Sequence, residues 1–167
     1  MNETIKILDE KEIEQKLIRI AWEVYERNIA EKELIFIGIS TRGLILAKRL
    51  AMHVESISNL AITVSGLKID KKAPYNKDIA TDITPDVYSN KVVVLVDDVL
   101  KSGKTLMYVA KYFLDAPLSK LSTMVLVDRN HNRYPIKADY VGLSLATTLQ
   151  EYINVTLEGD SQGVYLS

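Results

Sequence analysis

Two rhythms of apolar residues alternate along the 167-residue chain. Between Glu10 and Asn28, Ile13, Leu17, Ile20, Ala21 and Val24 recur at three- and four-residue steps. That spacing predicts an amphipathic helix, with Asp9 placed to cap its start. Leu34 to Ile39 is apolar at nearly every position, as expected of a strand buried on both faces. Gly43 to Val54 returns to helical spacing through Leu46, Leu50 and Val54. Leu60–Val64, Lys91–Val96, Ser122–Val127 and Ala138–Gly142 read as further strands, and Gly103–Leu114 as a helix. The stretch from Gly66 to Asn90 has no rhythm. It carries Lys68, Lys71, Lys72 and Lys77 with Pro74 and Pro85, and reads as a long mobile loop or an irregular hairpin.

Strands that alternate with helices predict an α/β fold: a mainly parallel, twisted sheet covered by helices on both faces, in one domain over residues 1–167. Ligands of such sheets bind beyond the carboxyl ends of the strands. That rule points to Ser40–Gly43, Asp97–Thr105 and Asp128–Arg133. Charge adds an exclusion. Lys and Arg number 21 and Asp and Glu 22, a net charge of −1, so the global positive excess of a non-specific nucleic-acid binder is missing. The chain has no Cys, which excludes disulfides, thiolate metal sites and thiol nucleophiles. Its His residues are His53 and His131, too few for a His-rich metal site. No apolar run approaches the roughly 18 residues of a membrane span, and the start of the chain has no apolar signal core, so the expected location is the cytoplasm.

The densest chemistry lies in VVVLVDDVLKSGKTL, residues 92–106. A buried strand there delivers Asp97 and Asp98 to the sheet edge, and Ser102, Gly103 and Thr105 open the following helix. Glycine allows close backbone approach, and the first turn of a helix offers N–H groups to a phosphate. The Ser102 and Thr105 hydroxyls and the Lys104 ammonium add to that offer. The paired acids suit sugar hydroxyls or a magnesium ion, held directly or through water. An ordinary strand–helix junction has no need of two acids in a row. The ATP-type phosphate loop requires a Gly where Asp98 stands, and fails.

Residues 92–106 resemble the phosphoribosyl-pyrophosphate motif of type I phosphoribosyltransferases. Gly38-Ile39-Ser40-Thr41-Arg42-Gly43 resembles that family's pyrophosphate loop. With ILDEKEIEQKLIRIAWEVYERN, ISTRGLILAKRLA and LVDRNHNRYPIKADYVG, the resemblance covers most of residues 7–142 and extends to the bifunctional pyrimidine operon regulatory protein/uracil phosphoribosyltransferase family. It implies the type I fold with a small hood. It also implies transfer of a phosphoribosyl group from phosphoribosyl pyrophosphate to a nucleobase, uracil first, with magnesium as cofactor. Asp97 and Asp98 would orient the ribose and contact magnesium. Arg42, with Ser40, Thr41 and Gly43, would clamp the diphosphate. Lys101, Ser102, Gly103, Lys104 and Thr105 would wrap the 5-phosphate, and Arg129 would reach a base carbonyl. Lys68, Lys71, Lys72 and Tyr75 are candidates for touching pyrophosphate. The family's assembly implies a homodimer or higher oligomer.

Three departures from the family matter. Lys101 stands where 6-oxopurine enzymes usually carry an Asp that faces the purine, and where the regulatory proteins often carry Tyr. Ile18 and Trp22 replace the Thr and His with which the regulatory proteins hold RNA, so RNA binding is expected to be lost. Ile18 and Trp22 are then candidates for a subunit interface. The 66–90 segment lacks the family's Tyr-Arg pair, which leaves a weakly catalytic nucleotide-sensing regulator as one alternative. A 6-oxopurine enzyme is the other.

Overall fold

A computed structural model of the chain describes residues 3–76 and 78–167; Lys77, in the 66–90 segment, lies outside them, as do Met1 and Asn2. The elements run β1 (Ile5–Asp9), α1 (Glu10–Arg27), β2 (Glu33–Ile39), α2 (Ser40–Ile57), β3 (Ala61–Lys68), β4 (Ala80–Thr81), α3 (Pro85–Tyr88), β5 (Val92–Leu100), α4 (Lys104–Phe113), β6 (Lys120–Asp128), β7 (Tyr140–Ser144), β8 (Ile153–Thr156) and β9 (Gly163–Leu166).

The main sheet has the order β4-β3-β2-β5-β6-β7. All its strands are parallel except β4, which returns antiparallel to β3. One face carries Leu34, Phe36, Val92, Val94 and Met124 against the apolar stripes of α1 and α2. The other carries Ile35, Ile37, Val93, Leu95 and Val125 against Leu106, Val109 and Phe113 of α4. Both faces are covered, which is why these strands are apolar without alternation. A capping box starts α1 as expected: Glu12 N donates to Asp9 Oδ1 and Asp9 N to Glu12 Oε2, both at 2.8 Å.

The topology places a cleft. From β2 the chain turns through α2 to β3 on one side, while from β5 it turns through α4 to β6 on the other. Strands β2 and β5 are direct neighbours, paired from Ile35↔Val93 to Gly38↔Val96. The two strand-to-helix turns therefore diverge from adjacent strand ends, which opens a crevice at that switch point.

A second, three-stranded antiparallel sheet, β1-β9-β8, forms the hood. It joins the two ends of the chain in register Ile5↔Leu166 and Asp9↔Gly163. Leu8, Val155, Leu157 and Val164 anchor it in the core cluster shared with α1 and α2.

Several boundaries differ from the sequence reading. Helix α2 starts at Ser40, three residues before Gly43. The 66–90 segment is not loop throughout: β3 continues to Lys68, β4 pairs back on it at Leu67↔Thr81, and α3 follows. Strand β5 runs past both acids to Leu100 because β6 extends alongside it, pairing Val99↔Val127 and Leu100↔Asp128.

Candidate active site

Asp97 and Asp98 lie in the carboxyl-end stretch of β5, only 2% and 6% exposed. Each carboxylate accepts from the next backbone N–H, Asp98 N to Asp97 Oδ1 and Val99 N to Asp98 Oδ1, both at 2.9 Å. Two cations flank them. Lys71 Nζ lies 2.9 and 3.2 Å from the Asp97 oxygens and 3.6 Å from Asp98 Oδ1. Arg42 Nη1 lies 3.3 Å from Asp98 Oδ2. Burial pushes the Asp97 carboxyl up from 3.8 to about 7; the Lys71 ammonium pulls against that rise and Asp98 adds to it. For Lys71, burial favours loss of the proton, but Asp97 and Asp98 outweigh it and hold the ammonium above its usual value.

Phosphate oxygens plus one or two carboxylates are the donor set that magnesium prefers. Asp97 and Asp98 fit that set. Among the described residues no group of three or more His, Asp or Glu side chains could hold a metal without such help.

The turn from β2 into α2 faces the acids. Ser40 takes a left-handed φ of 59°, a conformation that non-glycine residues hold mainly where surrounding structure enforces it. No side chain caps the helix start at Ile39. The helix begins hard against β5: a Cβ on Gly43 would sit 2.5 Å from the Val96 carbonyl oxygen, so only glycine fits. The Arg42 guanidinium also donates to Val155 O of the hood at 3.3 Å, which ties this turn to β8. Ile39, Ser40, Thr41, Arg42, Lys71 and Asp98 line one small cavity of about 220 Å³.

A second cavity, about 230 Å³, is lined by Lys71, Asp97 and the turn from Val99 to Leu106. Gly103 has φ 85°, the left-handed conformation glycine adopts freely, and Ser102 Oγ accepts from Lys104 N at 3.2 Å. The loop after β6 braces this turn, since Arg133 N and Tyr134 N donate to Ser102 O at 2.8 and 3.1 Å. The structure thus brings Ser40, Thr41, Arg42, Asp97, Asp98, Lys101, Ser102, Gly103, Lys104 and Thr105 around two cavities that share Lys71, with Gly43 packed beneath on β5.

Arg129 stands apart. The sequence reading placed it on a base carbonyl; the side chain is instead 3% exposed and turned into the hood connection. Its Nε donates to Thr147 Oγ1 at 2.9 Å, and its Nη2 to the carbonyls of Thr148 and Glu151 at 3.2 and 2.6 Å. His131 Nε2 pairs with Thr147 O. The 129–131 loop therefore clamps residues 147–151. Sequence reasoning missed this because the partners are mostly main-chain carbonyls, which any residue supplies. It also missed Tyr152: Lys101 Nζ lies 5.5 Å over its ring, joining the phosphate-side turn to the hood across the cleft mouth. Of the four candidates in the 66–90 segment, the acids select Lys71.

Two strand-to-helix turns diverging from adjacent strands, and a buried acid pair between them, surround one crevice. Residues 4–158 match the family model described as the phosphoribosyl transferase domain. The chain belongs to that family and is a phosphoribosyltransferase. Within it, the chain is similar to the bifunctional protein PyrR of Bacillus subtilis (strain 168), 39% identical over 168 residues that cover 95% of this chain and 92% of the relative. PyrR of Thermoanaerobacter sp. (strain X514) is 37% identical over 163 residues, covering 92% and 90%. Among solved structures, a hypoxanthine-guanine phosphoribosyltransferase of Bacillus anthracis superposes with a TM-score of 0.71 at 18% identity, over 84% of this chain and 81% of the other. The hypoxanthine phosphoribosyltransferase of Trypanosoma cruzi gives 0.74 at 17%, over 89% and 83%. At those identities the solved structures speak for the fold.

Proposed function

We propose that the protein transfers the phosphoribosyl group of phosphoribosyl pyrophosphate to uracil, giving uridine monophosphate and pyrophosphate. The bond from the anomeric carbon to the diphosphate oxygen breaks, a bond to the base nitrogen forms, and that nitrogen's proton passes to water or to the departing diphosphate. Asp97 and Asp98 hold the ribose hydroxyls and face the positive charge that develops on the ring. Arg42 and the N–H groups of the Ser40–Gly43 turn hold the departing diphosphate, and Ser102, Gly103, Lys104 and Thr105 hold the 5-phosphate. Asp97 and Asp98 would hold magnesium, which would supply charge neutralisation for the departing diphosphate. Holding both reactants in line supplies most of the remaining advantage.

One observation carries the choice of base. The residue before Ser102-Gly103 is Lys101, and its ammonium reaches across the cleft mouth to Tyr152. A cation there cannot accept from the purine N7 as the Asp of 6-oxopurine enzymes does, whereas uracil has no such nitrogen to satisfy. The similarity to PyrR over nine-tenths of the chain supports the same reading.

RNA control is not part of this reading. Ile18 and Trp22 expose apolar surface on α1, 44% and 48% accessible. The neighbouring cations are engaged: Arg19 donates to the carbonyls of Val141 and Gly142, and Arg27 to that of Asp139. That apolar face suits a homodimer or higher oligomer. Among the described residues no helix is long and apolar enough to cross a membrane. We place the protein in the cytoplasm on its membership of the phosphoribosyltransferase family.

Incubation with phosphoribosyl pyrophosphate, magnesium and uracil tests the proposal. Uridine monophosphate and pyrophosphate are expected in equal amounts. Donor binding without product from any base would assign the protein as a non-catalytic regulator instead.

A further inference from the structure

Lys71 is the residue common to both small cavities, the one lined by Ser40–Arg42 and the one lined by Val99–Leu106. Its ammonium sits between them, within hydrogen-bond reach of Asp97 and 3.6 Å from Asp98. It arrives on a short strap folded largely on itself. Lys72 N donates to Asp70 Oδ1 at 2.9 Å, Ala73 N to Asp70 O at 3.2 Å, and Asn76 N to Ala73 O at 3.0 Å. The far end of the strap rests on α4, where the Tyr75 ring meets Tyr108 edge-on at 6.5 Å and Lys104 Nζ lies 5.4 Å over Tyr75. The strap thus spans the mouth from the end of β3 to α4, and Lys71 is its contact with the acid pair.

We propose that Lys71 is a built-in competitor for the Asp97–Asp98 pair, holding the place that the ribose hydroxyls and magnesium of the donor take, so that donor entry and release of the 70–76 strap are one event. This rests on the phosphoribosyl-transfer reading of the same site. Two charge partners cannot share those carboxylates at full strength. The acids are almost fully buried, whereas the Lys71 side chain is 42% exposed and free to swing toward solvent or the diphosphate. The arrangement favours a ligand that brings both hydroxyls and a cation, and disfavours partial ligands that cannot displace the ammonium.

Ribose 5-phosphate with magnesium chloride is the probe, since it presents the hydroxyls and the 5-phosphate without the diphosphate. By calorimetry, Lys71→Met binds it about fivefold more tightly than the wild type, the scale of one partly exposed ion pair removed from competition, while Lys71→Arg binds as the wild type does. Hydrogen–deuterium exchange in residues 69–76 of the wild type accelerates when the probe is added, a readout independent of any variant's folding. Equal or weaker binding by Lys71→Met, equal tightening by Lys71→Arg, or unchanged exchange would each overturn the proposal. If the folded wild type bound neither ribose 5-phosphate nor phosphoribosyl pyrophosphate, the phosphoribosyl reading itself would fall and the competitor role with it.

Discussion

The two halves of the cleft are built differently. The half we propose for the donor consists of Ser40–Gly43 and Asp97–Thr105, two turns that leave adjacent strands of the central sheet and enter helices packed in the core. Its chemistry is contiguous, and its geometry is inherited from the core. The half we propose for the acceptor is assembled from Lys101, the 129–131 loop, the 147–151 connection and Tyr152. It is held by side chains that bridge separate segments: Arg129 and His131 to residues 147–151, and Lys101 to Tyr152. The donor half is common ground for phosphoribosyl transfer. The acceptor half is where one such enzyme can come to differ from another.

Substitutions should separate the halves. Asp98→Asn, in the donor half, lowers kcat/KM about 100-fold or more with every base, as expected when a carboxylate facing developing charge is neutralised. Steady-state kinetics on two bases checks this; a loss confined to one base would break the comparison. Arg129→Met leaves the hood carbonyls without their donor and costs about 2 kcal/mol of stability. Its KM for the base rises while its KM for the donor holds. Thermal unfolding together with both KM values decides this one.

Lys101→Met changes the KM for the base by about threefold through loss of the contact to Tyr152, with little effect on the donor. The last effect is one of pH and concerns Asp97. Its folded carboxyl titrates near 7 against 3.8 in the unfolded chain, so the folded state holds the extra proton between those values. Stability conferred by that proton is complete at low pH and is lost as pH rises through the window. Asp97→Asn therefore unfolds at a higher temperature than the wild type at about pH 8, and the gap narrows toward about pH 5. An unchanged gap would mean the buried acid is fully compensated by Lys71.

The same division governs what the sequence reveals. Asp97, Asp98, Ser102 and Gly103 announce themselves because strand, turn and helix follow one another without interruption and every functional side chain is local. The parallel sheet is legible for a similar reason, in the apolar runs 34–39 and 92–96. The hood is not. Its strands β1, β8 and β9 are four or five residues long and pair the start of the chain with its end, a partnership no local pattern records. Arg129 carries the right charge for a base contact, but its partners lie 18 to 22 residues further on. Lys71 is one of several lysines in an irregular segment, and only the hairpin of β3 with β4 brings it to the acids.

The account stands most directly on the choice of base. Turnover with phosphoribosyl pyrophosphate and magnesium, run side by side on uracil, hypoxanthine, guanine, xanthine and adenine, measures it. The account predicts that kcat/KM for uracil exceeds that for every purine by at least about tenfold, the worth of one well-placed polar contact. A preference for hypoxanthine or guanine would contradict it and reassign Lys101 to the donor half.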